Sequence, residues 1–323
     1  MIIPASQLGV SYVVYTDGVK YYVRKGGSGL PRYVSDDAGD VINYAISNLP
    51  GSGGRIFIKS GTYSVKTPIV IDKTAVMIEG EQLGYGDVPG AQLVLDGDFH
   101  MITIRGGAYF AYIRNLWMNG NYRNYSAIYI NNANDVTIEH NFIYRFNNAF
   151  IHNVNFMHIL RIIDNWIESG GGQGIWLGGT STVETVSINN NYFFGVKNAV
   201  VIPVYPSDVF SVIISNNIIR QTTLDAILVS KGALVVIEGN AILDAGSASP
   251  NTYDGIKLEN VSGVVVNGNE IINYKTGNMK YAIEEAGTAD YNLISNNVVK
   301  SASTPAIVKV GANTVVANNI ILP

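Results

Sequence analysis

Short runs of β-branched and aliphatic residues recur along the chain, and each run is interrupted by an asparagine. The run from Val136 to Ile143, which contains Asn141, shows the pattern. The same arrangement returns at Asn115, Asn141, Asn165, Asn191, Asn217, Asn240, Asn269, Asn297 and Asn319. Subtracting neighbouring numbers gives intervals of 26, 24, 26, 26, 23, 29, 28 and 22 residues. A repeat of this length with one residue type in every unit predicts a solenoid.

Each repeat contains three short apolar runs, which predicts three strands per coil. The first strands are expected to begin at positions 101, 127, 149, 174, 199, 226, 255, 282 and 306. This pattern fits a parallel β-helix better than a leucine-rich horseshoe, whose repeat is Leu-x-x-Leu-x-Leu. Asparagine tolerates the left-handed backbone of a sharp corner, and amides stacked about 4.8 Å apart can hydrogen-bond between coils. The ladder is therefore predicted to be structural.

The first 53 residues follow a different pattern. Alternating polar and apolar residues over 10–23 predict a hairpin. A helix is predicted next, because Asp36 or Asp37 can cap it and the apolar residues that follow recur at helical spacing. This helix is well placed to cap the first coil. We expect an N-terminal hairpin and capping helix over 1–53 and one continuous β-helix domain over 54–323.

Composition narrows the range of functions. Apolar residues make up 47% of the 323 residues, whereas charged residues make up only 14% and the net charge is −4. No basic stripe is present, which argues against nucleic acid as a partner. The lack of cysteine excludes disulfides and thiolate metal sites, and the four histidines lack paired ligand spacing, so no metal site is expected. No signal peptide and no membrane span are predicted.

One segment and the coils together resemble a known superfamily. Residues 53–63, Gly-Gly-Arg-Ile-Phe-Ile-Lys-Ser-Gly-Thr-Tyr, and the Ile-x-x-Asn-x-Ile coils are similar to pectin-lyase-like proteins. The resemblance covers nearly all of the chain after residue 38. It implies an all-β fold, a single-stranded right-handed parallel β-helix, in a secreted, cell-surface or virion-associated protein. It implies no single reaction, because the superfamily holds lyases, glycoside hydrolases, epimerases, phage tailspikes and non-catalytic members.

Side chains alternate along a strand, so every second residue of the first strand faces outward. Counting from the expected strand starts places Tyr129, Ile151 and Trp176 in one outward column. Asn153 falls in the next outward column, and His152 falls inward. Tyr129 and Trp176 are predicted to stack on sugar rings, and Asn153 is predicted to bind substrate.

Charged residues, scarce elsewhere, concentrate on three later coils. The cluster predicted on the outer face of the first-strand sheet consists of Asp225, Asp254, Lys257, Glu259 and Glu284. Glycosidic cleavage needs an acid and a second carboxylate, and like charges on adjacent coils raise one pKa as a general acid requires. We predict a polysaccharide-acting glycoside hydrolase in which the four acidic residues are catalytic and Lys257 binds substrate.

Two loops are predicted to add substrate contacts, since long loops on a rigid scaffold often carry function. The loop 168–173 opens towards Trp176, so Glu168 is expected to overhang the cleft. The long loop 245–254 carries Tyr253, which is also predicted to bind substrate.

A narrower resemblance concerns residues 251–256, Asn-Thr-Tyr-Asp-Gly-Ile. They look like the Asn-Thr-Asp-Gly-Ile motif of polygalacturonases with a tyrosine inserted, so only Asp254 carries over. The Asp pair, Gly-His-Gly and Arg-Ile-Lys of that family are missing, which counts against its mechanism here.

Two other functions stay open. A non-catalytic carbohydrate-binding or structural module, of tailspike or cell-surface type, would pair the carboxylates with lysine or arginine. A polysaccharide lyase of this fold would use Lys257 as its base beside Ca²⁺ bound by carboxylates. A hydrolase would need no cofactor. In every case the expected partner is a polysaccharide or oligosaccharide, and the protein is expected to be a monomer or a homotrimer.

Overall fold

The computed structural model describes residues 9–82, 90–204, 209–274 and 278–323. These residues form a right-handed parallel β-helix with one short helix at its N-terminal end, which confirms the predicted fold class. The prediction about a signal peptide concerns residues 1–8, which lie outside the described residues. Within the described ranges, no helix is long and apolar enough to cross a membrane.

The strands stack in three columns. The first column contains Ile69–Ile71, Ile102–Arg114, Ile128–Glu139, Ile151–Asn153, Ile175–Leu177, Val200–Ile202, Ile227–Val229, Ile256–Glu259, Ile283–Ala286 and Ile307–Val308. Its two long strands, Ile102–Arg114 and Ile128–Glu139, continue into the second column. The second column also contains Val10–Thr16, Gly54–Ile58, Val76–Gly80, Met157–Ile163, Val183–Asn189, Val209–Ser215, Ala233–Glu238, Val265–Asn267, Leu293–Ser295 and Val315–Ala317.

The third column forms a separate sheet on another side of the coil. Its strands are Gly61–Val65, Ala91–Leu95, Leu116–Asn119, Phe142–Tyr144, Trp166–Glu168, Tyr192–Phe194, Ile218–Arg220, Ala241–Leu243, Glu270–Ile272, Val298–Lys300 and Ile320–Ile321. Isoleucine and valine from all three columns fill the interior, where residues such as Ile138, Ile143 and Ile175 are fully buried. The result is one apolar core that runs the length of the solenoid.

The N-terminal elements close one end of this core. The predicted hairpin is confirmed: Val10–Thr16 pairs antiparallel with Tyr21–Lys25, and Tyr33–Ser35 adds a third strand. The helix, Ala38–Ser47, is capped by Asp37, whose Oδ1 accepts a hydrogen bond of 2.8 Å from the backbone N–H of Gly39. Its apolar side packs on the first coil, as the capping prediction requires. The division at residue 53 stays a prediction.

The asparagine ladder begins at Asn141 rather than at Asn115. In a typical step, the Nδ2 of Asn191 donates to the Oδ1 of Asn217 at 3.0 Å. The backbone N–H of Asn191 donates to the same oxygen at 2.9 Å. Leu116 occupies the equivalent position one coil before Asn141, because its N–H donates to the Oδ1 of Asn141 at 3.1 Å.

The predicted left-handed backbone occurs one residue earlier than expected. The ladder asparagines are not themselves left-handed. The residues with positive φ at this corner are Asn115, His140, Asp164, Asn190, Asn216, Gly239, Gly268, Asn296 and Asn318. Asn115 is therefore a corner residue, and the prediction that one asparagine both turns the chain and forms the ladder is wrong. The corner uses residues that tolerate positive φ, while the ladder position uses an amide that donates and accepts.

Candidate functional site

The outer face of the first column carries a continuous row of side chains. In register, this row reads Thr103, Tyr129, His152, Trp176, Val201, Leu228, Lys257, Glu284 and Val308. The predicted register is wrong in one coil, because Ile151 faces inward and His152 takes the outward position. Asn153 is fully buried, and its Nδ2 donates to the carbonyl of Asn155 at 2.9 Å. Its predicted outward position is therefore also wrong.

Asp225 and Asp254 lie where adjacent coils enter this column, as predicted, but both are buried. Asp225 is 8% exposed and Asp254 is 0% exposed. The Oδ1 of Asp225 accepts the backbone N–H of Asp254 at 2.7 Å. The Oδ1 of Asp254 in turn accepts the N–H of Tyr281 at 3.0 Å. Each carboxylate thus holds the backbone of the next coil through its Oδ1, and its Oδ2 takes no part in that hydrogen bond.

Glu284 is partly exposed to solvent, unlike the two buried aspartates. Its Oε2 lies 3.1 Å from the Nζ of Lys257, the residue paired with it in register one coil away. Its Oε1 lies 3.5 Å from the Nζ of Lys280, a residue that sequence reasoning missed. The side chain of Glu284 is 13% exposed. Two ammonium groups therefore stabilise a carboxylate at the edge of the buried pair.

The environment drives the pKa values of Asp254 and Glu284 apart. Burial, and then the adjacent Glu284 carboxylate, raise the pKa of Asp254 to about 8. The buried Oδ2 of Asp254 finds no donor while both groups are ionised, but as a protonated acid it can donate to Glu284. Burial also tends to raise the pKa of Glu284, yet hydrogen bonds from Asp254 and Lys257 outweigh it and lower that pKa. At neutral pH the pair therefore holds one proton, on Asp254.

Glu259, the fifth residue of the predicted cluster, and Tyr253, a predicted substrate contact, lie near the acid pair. Glu259 follows Lys257 by two residues on the same strand and accepts a hydrogen bond of 3.1 Å from the Oγ of Ser230. Given about 4.8 Å between strands and about 3.3 Å per residue, Glu259 and Glu284 lie about 8 Å apart in backbone position. Tyr253 is half-buried next to Asp254, and its carbonyl accepts the N–H of Lys280 at 2.7 Å.

Aromatic rings occupy earlier coils of the same face. His100 stacks on Tyr129 with ring centroids 4.1 Å apart. The ring of His152 meets the edge of Tyr129 at 5.4 Å and lies 6.3 Å from Trp176. The two predicted stacking residues are thus brought into one strip, together with two histidines that were not predicted there. Three coil steps, about 14 Å, separate Trp176 from Lys257 in the outward row.

Both histidines of this strip are held neutral. Burial lowers the pKa of His100, whose Nδ1 accepts the backbone N–H of Ser126 at 3.0 Å. Burial, and then His100, lower the pKa of His152 to about 4. The strip therefore presents uncharged rings at neutral pH.

Replacing His152 with phenylalanine should make the protein more stable in mild acid than the natural chain, while the two differ less in their pH-dependent stability near neutral pH. In the natural chain, the unfolded imidazole protonates near its ordinary pKa of 6.5, while the folded one stays neutral down to about 4. Between these values His152 should therefore lower the stability of the natural protein by about 1–2 kcal/mol relative to the variant, on top of what the other titrating groups contribute to both proteins. Urea unfolding at neutral pH and near pH 4 measures this difference. The exposed His158, changed to phenylalanine, is the control; equal pH dependence in all three proteins would contradict the prediction.

Glu168 lies on a different face from the one predicted. It ends a strand of the third column and accepts a hydrogen bond of 2.7 Å from the Nε1 of Trp166. It lines a cavity with Trp117 and Tyr144. The predicted position over Trp176 is wrong, because the chain leaves the ladder at Asn165 directly into the third column.

The cluster does not fit a calcium ion. Asp225 and Asp254 each use one oxygen to accept a backbone N–H, and Glu284 is bound by two lysines. Calcium takes six to eight oxygen ligands, among which carboxylates supply the charge and carbonyls and water complete the shell, and here the carboxylate oxygens are largely engaged by N–H groups and lysines. In the described part of the chain, no group of three or more His, Cys, Asp or Glu side chains is placed to hold a metal ion.

Solved structures share this architecture. ORF18 of Geobacillus virus E2 superposes with a TM-score of 0.67 at 13% identity over 89% of this chain, which spans 59% of the virus protein. The A-module of mannuronan C-5 epimerase AlgE6 from Azotobacter vinelandii gives 0.58 at 15% identity, covering 89% of this chain and 96% of the module. DFA-IIIase from Arthrobacter chlorophenolicus A6 gives 0.58 at 14%, covering 87% and 90%.

These similarities establish the fold that the sequence resemblance implied. The chain is a right-handed parallel β-helix, and the solved structures that it resembles are pectate-lyase-like β-helix proteins. No protein-family profile and no curated protein matches the sequence. The reaction has to be argued from the site itself.

Proposed function

We propose that this protein is a carbohydrate-active β-helix that hydrolyses glycosidic bonds in a polysaccharide. The observation that carries the proposal is the Asp254–Glu284 pair, in which burial and charge raise the pKa of one carboxyl group to about 8 and lower the other. Two carboxyl groups with separated pKa values can serve as an acid and its conjugate partner in one reaction.

In the proposed mechanism, Glu284 contacts the substrate and Asp254 stores the proton. Glu284 receives the proton from Asp254 and delivers it to the glycosidic oxygen as the bond to the sugar breaks. Glu259 acts as the base that activates water. The backbones of Glu259 and Glu284 lie about 8 Å apart, and in an inverting hydrolase the two carboxyl groups would have to come about 6.5–9.5 Å apart around the substrate. Asp225 is a positioning residue, because it fixes the backbone of Asp254.

The remaining predicted residues extend the site along the solenoid. Lys257 stabilises the ionised form of Glu284 and can also donate hydrogen bonds to sugar hydroxyls. Tyr253 lies beside the pair formed by Asp254 and Glu284. Trp176 and Tyr129 would contact sugar units several coils away, so the polysaccharide would run parallel to the solenoid axis. The name of one neighbour, a mannuronan epimerase, supports a polysaccharide as the ligand. Similarity to a virus protein supports a virion-associated location.

A second function is favoured by a specific observation. Both oxygens of Glu284 are paired with lysines, and this pairing was expected of a non-catalytic carbohydrate-binding or structural module. In such a module, the aromatic rings around Tyr129 and Trp176 would bind carbohydrate. The ion pairs of Glu284 would only stabilise the contact between neighbouring coils.

A polysaccharide panel separates these functions. For a hydrolase, new reducing ends should appear without ultraviolet absorbance of unsaturated uronates, and Glu284→Gln and Glu259→Gln should each lower the rate by about 100-fold or more. The exposed Glu270, changed to glutamine, is the matched control and should keep full activity. Unsaturated products would indicate a lyase. Binding without any product would replace the hydrolase with the non-catalytic module.

A further inference from the structure

The outer face of the third column carries its own aromatic row. The residue that follows the ladder position is aromatic in successive coils, namely Trp117, Phe142, Trp166 and Tyr192, which are paired in register. Neighbouring ring centroids lie 5.7, 5.9 and 4.7 Å apart. This row belongs to a different sheet from the carboxylate cluster, so the proposed hydrolase site does not use it.

A cavity of about 410 Å³ opens against this row. It is lined by Trp117, Tyr122, Phe142, Tyr144, Arg145 and Glu168. Its size falls within the range of about 300–1,000 Å³ that is typical of small-molecule sites. Aromatic walls with a few polar groups are suited to a ligand that has both apolar C–H surfaces and hydroxyl groups.

The two charged residues of the cavity are held in place by aromatic rings. The guanidinium of Arg145 lies over Tyr122 and Tyr144, at 5.4 and 5.1 Å from the ring centroids. Among the residues that the structure describes, no carboxylate lies within 4.0 Å of this guanidinium. Glu168 is held on the other side by the indole N–H of Trp166 at 2.7 Å. One planar donor and one acceptor thus line the same cavity, with opposite charges.

The position of Tyr122 is maintained against backbone strain. Asn121 and Tyr122 adopt φ values of 50° and 57°, a left-handed conformation that is uncommon for tyrosine. The ring is nevertheless 56% exposed. This exposed ring forms part of the cavity wall and lies against the guanidinium of Arg145, where a ligand can reach it.

We propose that this cavity binds a neutral sugar unit of a polysaccharide. The sugar packs its C–H face on the rings of Tyr122 and Trp117, while Arg145 donates to its hydroxyls and Glu168 accepts from them. The opposite charges of Arg145 and Glu168 balance, which favours a neutral sugar over a uronate. This site is independent of the proposed hydrolase, because it lies on another sheet and uses none of the acid cluster.

Tyr122→Gly tests the site without endangering the fold, because glycine accepts the left-handed backbone that tyrosine resists. The matched control is Tyr291→Gly, since Tyr291 is also exposed, at 66%, and also has a positive φ, of 55°. The readout is tryptophan fluorescence in a Trp176→Phe background, which leaves Trp117 and Trp166 as reporters. The probes are maltopentaose, xylopentaose and mannopentaose. Tyr122→Gly should weaken binding about tenfold, and Tyr291→Gly should leave it unchanged.

Two further variants test the chemical class of the ligand. Arg145→Gln and Glu168→Gln should each weaken binding of the neutral probe. With a hexagalacturonate probe, binding should be weaker than with the neutral sugars. The proposal is overturned if no neutral probe changes the fluorescence at millimolar concentration, or if the two glycine variants behave alike. It is also overturned if hexagalacturonate binds the natural cavity more tightly than every neutral probe.

Discussion

Asp254→Asn should abolish hydrolysis and, at the same time, make the protein more stable at neutral and alkaline pH. Asp254 is fully buried, and the pKa of its carboxyl group is raised from 3.8 to about 8 by burial and by Glu284. Asparagine has the shape of the protonated acid. It can still accept the N–H of Tyr281 and donate to Glu284, but it has no proton to deliver. The rate should fall by about 100-fold or more.

The gain in stability follows from proton linkage. Between pH 3.8 and about 8, the unfolded chain releases the Asp254 proton while the folded chain keeps it. The free energy of unfolding of the natural protein should therefore decrease across this range and level off above it. The variant lacks this loss, so it should be more stable by about 2–4 kcal/mol at pH 8 and equal to the natural protein below pH 4. Urea unfolding at both pH values measures the difference.

Asp244→Asn is the matched control. Asp244 is also buried, at 7% exposure, and its Oδ1 also accepts a backbone N–H, that of Tyr274, at 2.7 Å. Its replacement should leave activity unchanged and should give no alkaline gain in stability. If Asp254→Asn were less stable than the natural chain at pH 8, the Asp254 carboxylate would be needed for stability. The proposal that Asp254 holds a proton for Glu284 would then be wrong.

Asn217→Ala should destabilise the protein by about 3–5 kcal/mol. The side chain of Asn217 is fully buried. Its Oδ1 accepts two hydrogen bonds from Asn191, and its Nδ2 donates to the carbonyl of Ile188 and to Asn240. Alanine would leave several buried partners unsatisfied on both neighbouring coils, with no room for water to replace the amide. Thermal or urea unfolding measures the loss.

Asn319→Ala provides the comparison within the same ladder. Asn319 accepts from Asn297 at 2.9 Å, but it is partly exposed, so water can replace its amide. We expect a loss of about 1 kcal/mol or less. Equal losses in the two variants would contradict the prediction, because they would show that burial of the amide does not determine how much it contributes to stability.

The architecture could be predicted from the sequence because each coil repeats the same pattern of three short apolar strands and one ladder asparagine. The sequence pattern located the ladder to the residue from Asn141 onwards, although several coils carry asparagine twice in succession, as at 190–191, 216–217, 296–297 and 318–319. One of each pair turns the chain, and the other forms the ladder. Spacing alone does not separate these roles, and Asn115 was therefore assigned to the ladder when it belongs to the corner.

The register error at His152 had a signal that could have prevented it. Ile151, Ile175 and Ile227 each lie ten residues after a ladder asparagine, and these three residues occupy equivalent inward positions. Counting from the ladder places His152 outward and Asn153 inward. The apolar residues Ala149 and Phe150, which precede Ile151, instead led to a predicted strand that begins one residue too early.

The acid cluster was assembled correctly from the columns, but its burial was not predictable in this way. Asp225 and Asp254 precede their strands, at a turn whose backbone N–H groups need acceptors. Those hydrogen bonds draw the carboxylates inward. Lys280 was missed because its side chain reaches Glu284 from a loop, and a loop has no fixed alternation from which its direction could be read.

The nearly constant ladder step has a consequence for how the chain folds. Each ladder hydrogen bond joins residues 22 to 29 positions apart, so every coil closes a loop of about the same length. The entropy of loop closure depends only weakly on loop length, and each coil needs only its neighbour as a template. Folding should therefore advance coil by coil, each addition facing a similar kinetic barrier. The folding time should then grow with the number of coils added in sequence.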